Sequence, residues 1–265
     1  MNAIIEPEPL LGDHVRLRSV EPPTHPLVVR YTDVVQGRIA NCPIAAVMAA
    51  TAHARPDRTR RLLGEPQVGD VWSIRRHPDA IFHWSTVTYH VRFTSGAAKT
   101  VTPVLYHRGD KVAYARTPNG PGWPSIVEKA YAIWKGLNKY QNLEEDSGLR
   151  PGPDAQTVLN DLVGPSDMAH IAGGTLFHAQ GGQARLTDEH LIDIARQARH
   201  RPTIAGSVEH GAANGIISNH AYAVLRWDRA AQRVVMRNSA EYGVADPRLT
   251  IAQLRANFQA VWQAR

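Results

Sequence analysis

The chain has 265 residues and a single cysteine, Cys42, inside the stretch "QGRIANCPIAAVMAATA" at residues 36–52. A helix beginning at Pro43 would put the thiol in the N-cap region, because proline is favoured at the first helical position. The positive end of the helix dipole stabilises a thiolate there and lowers its pKa, as nucleophilic attack requires. A lone cysteine is more often an ordinary small buried hydrophobe, so position alone favours the core reading over catalysis. A thiolate nucleophile also needs a base, a group that orients the base, and donors for the oxyanion. Among the 13 histidines, His220 in "SNHAYAVL" stands at the N-terminal end of a predicted strand. Asn238 ends the next strand, "RVVMRN", and a hairpin would bring it to the His220 ring. An asparagine oxygen accepting the imidazole N–H fixes the tautomer that faces the thiol. Gln36 could add a side-chain donor to the Cys42 backbone N–H in an oxyanion hole. Each residue has a plain structural alternative: His220 and Asn238 as strand caps, Gln36 as a turn residue.

These side chains need elements to hold them. From Cys42 to about His53, Ile44, Val47, Met48 and Thr51 recur at helical spacing. "TVTYHVRF" alternates Val87, Tyr89, Val91 and Phe93 on one face of a strand, and "VTPVLYHRGDKVAYA" reads as two short strands around Gly109-Asp110. In "GWPSIVEKAYAIWKGL", Pro124 suits a first helical turn and Ser125 with Glu128 has capping-box spacing. Val127, Ala130, Tyr131 and Trp134 form the apolar face. "LTDEHLIDIARQARH" is a second helix capped by Thr187. "HAYAVLRW" and "RVVMRN" flank "DRAAQ" as a hairpin. Near the C-terminus, Thr250 and Gln253 have capping-box spacing, with Ile251, Leu254, Phe258 and Val261 as the stripe of one helix. Residues 1–28 are rich in proline and charge and read as an extended lead-in. The polar, Gly- and Pro-rich "NLEEDSGLRPGPD" marks a boundary, dividing a helix-led subdomain at 29–145 from a β-rich one at 146–265.

Composition bounds the function. An apolar fraction of 43% with 20% charged residues is that of an ordinary globular protein. No apolar run reaches the roughly 18–20 residues that span a bilayer, and the N-terminus lacks the order of a secretory signal. One cysteine excludes an internal disulfide and any multi-thiolate metal site. The net charge of +6 accompanies Ala- and Arg-rich usage without basic runs interleaved with aromatics, so nucleic acid is not an expected partner. No HExxH pair, G-x-S-x-G elbow, P-loop or GxGxxG competes as a site. His83, His90 and His107 lie in predicted strands without metal-like spacing.

Taken together, these segments resemble the protease core of the calpain family, papain-like cysteine peptidases. "QGRIANCPIAAVMAATA" is similar to the family's QG-x-LGDCW segment and the small-residue helix after it. "GWPSIVEKAYAIWKG" resembles FW-x-x-LLEKAYAK-x-x-G, "NHAYAVL" resembles GHAYSV, and "RVVMRNSAEYG" resembles the strand ending in RNPWG. "DAIFHW", "NDLVG" and "LTIAQLRANF" echo GIFHF, DFTGG and SFEDFLRHF, so the likeness runs collinearly over roughly residues 30–260. The resemblance implies an α+β, papain-like fold, with a helix-led N-terminal subdomain, a β-rich C-terminal subdomain and the active site in the cleft between them. It implies a cysteine endopeptidase with Cys42 as nucleophile, His220 as general base, Asn238 as its orienting residue and Gln36 in the oxyanion hole. Glu128, Lys129 and Tyr131 match the helix motif, read as packing between subdomains.

Departures accompany the match. Pro43 stands where the family has tryptophan, Ala40-Asn41 replaces Gly-Asp, and the Pro-Trp-Gly after the asparagine is missing, with Tyr242 a late substitute shielding the Asn–His bond. No acidic residues align with the family's calcium loops, so no cofactor is expected and calcium dependence is not supported. The expected partner is a protein substrate, with an inhibitor or immunity protein if the chain is the toxin domain of a bacterial effector. The expected location is the cytoplasm, or a target cell reached by signal-peptide-independent secretion. The same thioester chemistry serves glutamine deamidases and transglutaminases, and a catalytically degenerate binding module is the remaining alternative.

Overall fold

The structure is a computed structural model that describes residues 4–5, 15–19, 28–37, 41–64, 67–74, 81–108, 111–136, 154–178, 180–240 and 245–265. The fold is α+β, and the chain divides into two compact units. The first comprises Met1–Val28, Gly37–Ala40 and Arg60–Pro151; the second comprises Val29–Gln36, Asn41–Thr59 and Gly152–Arg265.

In the first unit, β1 (Ile4–Ile5), β3 (Gln67–Ile74), β4 (Ile81–Arg92) and β5 (Ala98–Val101) form a sheet in the order β1-β3-β4-β5, with β1 parallel to β3. A second sheet has the order β2 (Val15–Ser19), β6 (Val104–Arg108), β7 (Lys111–Val112). Helix α3 (Trp123–Lys135) packs on β4 and β5. Pieces of the proline-rich N-terminus therefore pair as sheet strands rather than forming a separate lead-in, and the unit is strand-rich rather than helix-led. The reason is hydrogen bonding: β1 and β2 satisfy their backbone groups on β3 and β6.

The α3 cap differs by one turn from the expected Ser125–Glu128 box. Gly122 is the N-cap, and the Ser125 hydroxyl accepts the Gly122 N–H at 3.3 Å. This frees Glu128 for a different bond: although buried, its carboxylate accepts the Ala115 N–H. Lys129, also buried, donates to the carbonyl and hydroxyl of Thr102, each at 3.1 Å. Both partners belong to the first unit, so these two charges tie α3 to its own loops. Tyr131 is fully buried beside Phe93 in the same unit. His90 is an ordinary sheet residue whose Nδ1 lies 3.0 Å from the Thr100 hydroxyl.

The second unit is built on an antiparallel sheet in the order β10 (Gln183–Arg185), β9 (Thr175–Phe177), β8 (Ser166–His170), β15 (Phe258–Ala264), β11 (Thr203–Ser207), β12 (Ala221–Asp228), β13 (Arg233–Arg237), β14 (Arg248–Leu249). Residues 221–225 are all buried, as a strand covered on both faces must be. One face packs on α1 (Cys42–Ala54), which is followed in the chain by the short α2 (Pro56–Leu63) and also touches α4 (Ala155–Leu162). On the other, Tyr222 and Val224 pack with Leu191 and Ala195 of α5 (Asp188–Gln197) and Leu254 of α6 (Ile251–Asn257). Thr187 caps α5 and Thr250 caps α6, each hydroxyl accepting a backbone N–H at 3.2 Å.

The stripe expected to run as one helix from Ile251 to Val261 breaks at Phe258. The remaining residues become β15, which fills the place between β8 and β11. Phe258 and Val261 are still buried, but in the sheet core.

Helix α1 is buried from Ile44 to Ala52, almost its whole circumference. Its alanines let it lie close against β11 and β12, and the His53 Nε2 sits 2.8 Å from the Leu225 carbonyl. These contacts place α1 in the second unit, whereas a division at residue 145 assigns it to the first. Among the described residues, no helix is long and apolar enough to cross a membrane.

Candidate active site

Cys42 is the first residue of α1, with Asn41 as N-cap and Pro43 next. The half-buried thiol is pushed up from its ordinary value by burial. The backbone N–H groups of Ala221 and of Cys42 itself act in the opposite direction, favouring the thiolate. Ala221 follows His220 directly, so β12 brings the residue next to the candidate base against the helix that carries the candidate nucleophile.

His220 ends the loop that leads into β12. Its Nε2 lies 3.0 Å from the Asn238 Oδ1. Asn238, just past the end of β13, is 2% exposed, so this bond is shielded from water. Because an amide oxygen accepts, the bond selects the tautomer protonated on Nε2 and leaves Nδ1 as the basic nitrogen. Burial lowers the His220 pKa, and the Asn238 bond opposes that effect. Residues 241–244, with Tyr242 among them, lie outside the described residues.

Gln36 joins the group through its backbone. Its N–H donates to the Ser239 carbonyl at 2.6 Å, which sets the segment carrying Gln36 against the residue after Asn238. All four expected residues thus belong to the second unit, not two subdomains, because α1 and residues 29–36 pack with the C-terminal sheet.

Three supporting residues escape sequence reasoning. The buried Ser207 hydroxyl accepts the His220 N–H at 2.8 Å and stands 2.7 Å from the Ile217 carbonyl, gathering the loop before the base. The Tyr222 ring meets the His220 ring edge-on at 5.0 Å, and its hydroxyl accepts the Ile217 N–H at 2.8 Å. The Asp246 carboxylate accepts the Asn238 N–H at 3.0 Å. Tyr222 was visible inside "HAYAVL"; nothing in local sequence marks Ser207 or Asp246. The glycine of the "QG" pair also acquires a reason, since a Cβ on Gly37 would collide with the backbone carbonyls of Ala113 and Tyr114.

Chemically, the arrangement combines a nucleophile at a helix start, an oriented imidazole and nearby backbone donors, which together suit acyl transfer. Among the described residues, no group of three or more His, Cys, Asp or Glu side chains is placed to hold a metal ion. Comparison of the sequence with protein-family models and with curated proteins gives no match.

Proposed function

We propose that the chain is a cysteine endopeptidase of papain-like fold, similar to the calpain core. The observation that carries this reading is the 3.0 Å bond from His220 to a buried Asn238, with Cys42 at the start of α1 against Ala221. In the proposed reaction, His220 Nδ1 takes the thiol proton as the Cys42 sulfur attacks a peptide carbonyl. The Cys42 N–H and the Gln36 side chain hold the oxyanion. The imidazolium then protonates the leaving amine, and water activated by His220 hydrolyses the thioester. No step needs a metal or cofactor, and the substrate is a protein.

Incubating the full chain with an unfolded protein substrate tests this. Backbone cleavage that vanishes in Cys42→Ala is the expected result; a +1 Da change at glutamine would instead mark a deamidase. Absence of both, with Cys42 unlabelled by an epoxide inhibitor, would overturn catalysis. A role as an effector toxin rests on this activity. It predicts that expression in a bacterial cytosol slows growth for the native chain and not for Cys42→Ala.

A further inference from the structure

Two chain segments about two hundred residues apart meet at the candidate site, and both must hold still for it to work. The segment at 34–36 carries the expected oxyanion amide, and the turn at 237–239 carries the residue that orients His220. We propose that Arg237 and Asp246 are positioning residues that clamp these two segments together, an assignment that rests on the peptidase reading.

The bonds converge on one side chain. Arg237 Nη1 pairs with Asp246 Oδ1 at 3.2 Å, and Nη2 donates to the Val34 carbonyl at 3.3 Å. The same Asp246 oxygen accepts the Asn238 N–H at 3.0 Å. Two residues beyond Val34, the Gln36 N–H completes the connection at Ser239. Val34, Asn238 and Ser239 are fully buried, so their backbone groups have little access to water as an alternative partner. The guanidinium is suited to this place: its planar fork points one nitrogen at a carboxylate and the other at a carbonyl, which a lysine ammonium does not reproduce.

The consequence is a coupling between two catalytic tasks. If the clamp loosens, the Gln36 segment drifts from the oxyanion, and the Asn238 oxygen drifts from His220 Nε2. Neither change removes a group that binds substrate, so the loss falls on turnover rather than on substrate binding.

The test uses the full chain with Arg237→Met, Arg237→Lys and Asp246→Asn. It reads kcat and KM on a fluorogenic peptide, the 15N shifts of the His220 ring, and the thermal midpoint. For Arg237→Met the expected result is a kcat at least about tenfold lower with KM within about threefold of the native value. The His220 ring shifts should move from the Nε2-protonated tautomer toward a tautomer average. Arg237→Lys should not restore kcat. Asp246→Asn keeps the side-chain volume and an acceptor for the Asn238 N–H; it should fall between native and Arg237→Met, and it stands in should Arg237→Met fail to fold. A lower midpoint with native kcat and native ring shifts would overturn the clamp as a positioning device. If the native chain shows no Cys42-dependent cleavage, the peptidase reading fails, and the ring shifts still decide whether Arg237 and Asp246 hold His220 in its tautomer.

Discussion

Cys42 and His220 carry opposite shifts of the same origin. Burial raises the thiol and lowers the imidazole, so in both groups it favours the neutral form. The helix start and the Ala221 N–H favour the thiolate without overcoming burial. In the proposed reaction, proton transfer from sulfur to Nδ1 would then accompany attack rather than precede it. Alkylation of Cys42 by iodoacetamide, followed by mass spectrometry, should therefore accelerate only as pH rises into the region of the ordinary thiol value of 9.0 and beyond. A rate already at its plateau below neutrality would mean a preformed thiolate–imidazolium pair and would contradict the neutral form that burial favours. Most of the residue-scale reading was available from the chain itself. The types and order of Cys42, His220 and Asn238 follow a known chemical logic, and the hairpin between His220 and Asn238 is local. Ser207, Asp246 and the backbone role of Gln36 were not available, because each acts through a partner far away or through main-chain atoms that any residue possesses.

Among the elements, the loop that ends at His220 depends on Ser207 at the end of β11. That hydroxyl accepts the His220 N–H and bonds the Ile217 carbonyl, in a place where Ser207 is 1% exposed. Ser207→Ala leaves the part-buried His220 N–H without its acceptor, which costs on the order of 1 kcal/mol. Urea unfolding should show that loss, and turnover should fall as well, because the same loop sets the approach of His220. Unchanged stability would indicate that the loop is held by its other contacts, such as the Tyr222 hydroxyl. Helices α1, α3 and α5 and the β12–β13 hairpin were legible, since their periodicities and turn lie within a few residues, although the α3 cap falls at Gly122 rather than Ser125. The C-terminal segment was legible only up to Asn257. Its spacing of apolar residues fits a helix, but β8 and β11 offer the chain a full set of backbone partners, and that pairing decides in favour of a strand.

For the molecule as a whole, the buried titratable groups define a pH window of stability. His220 and His53 are both lowered, by burial first, and for His53 also by Arg199, Arg226 and His200 nearby. Below their ordinary value of 6.5 the unfolded chain takes up protons that the folded chain resists, so stability falls as pH drops. Each such group adds a slope of up to about 1.4 kcal/mol per pH unit. Cys42 is raised, so above 9.0 the unfolded thiol ionises first and stability falls as pH rises. Chemical denaturation across pH should give a plateau between about 6.5 and 9.0, with the acid limb shallower in His220→Gln and the alkaline limb shallower in Cys42→Ala. Limbs unaltered by these substitutions would assign the pH dependence to other groups.

By itself the sequence determined the chemical inventory: one thiol at a helix start, one histidine before a strand, one asparagine after the next strand and a glutamine upstream. It also determined the local elements, because caps, proline, glycine and apolar spacing act over a turn or two. Tertiary structure decided which surfaces those elements share. It put α1 on the C-terminal sheet rather than with the residues that follow it, turned part of the last helix into a central strand, and set residues 34–36 against 237–239. Those outcomes come from burial of an alanine-rich helix on every side and from backbone hydrogen bonds between distant segments, and neither leaves a short-range pattern in the chain.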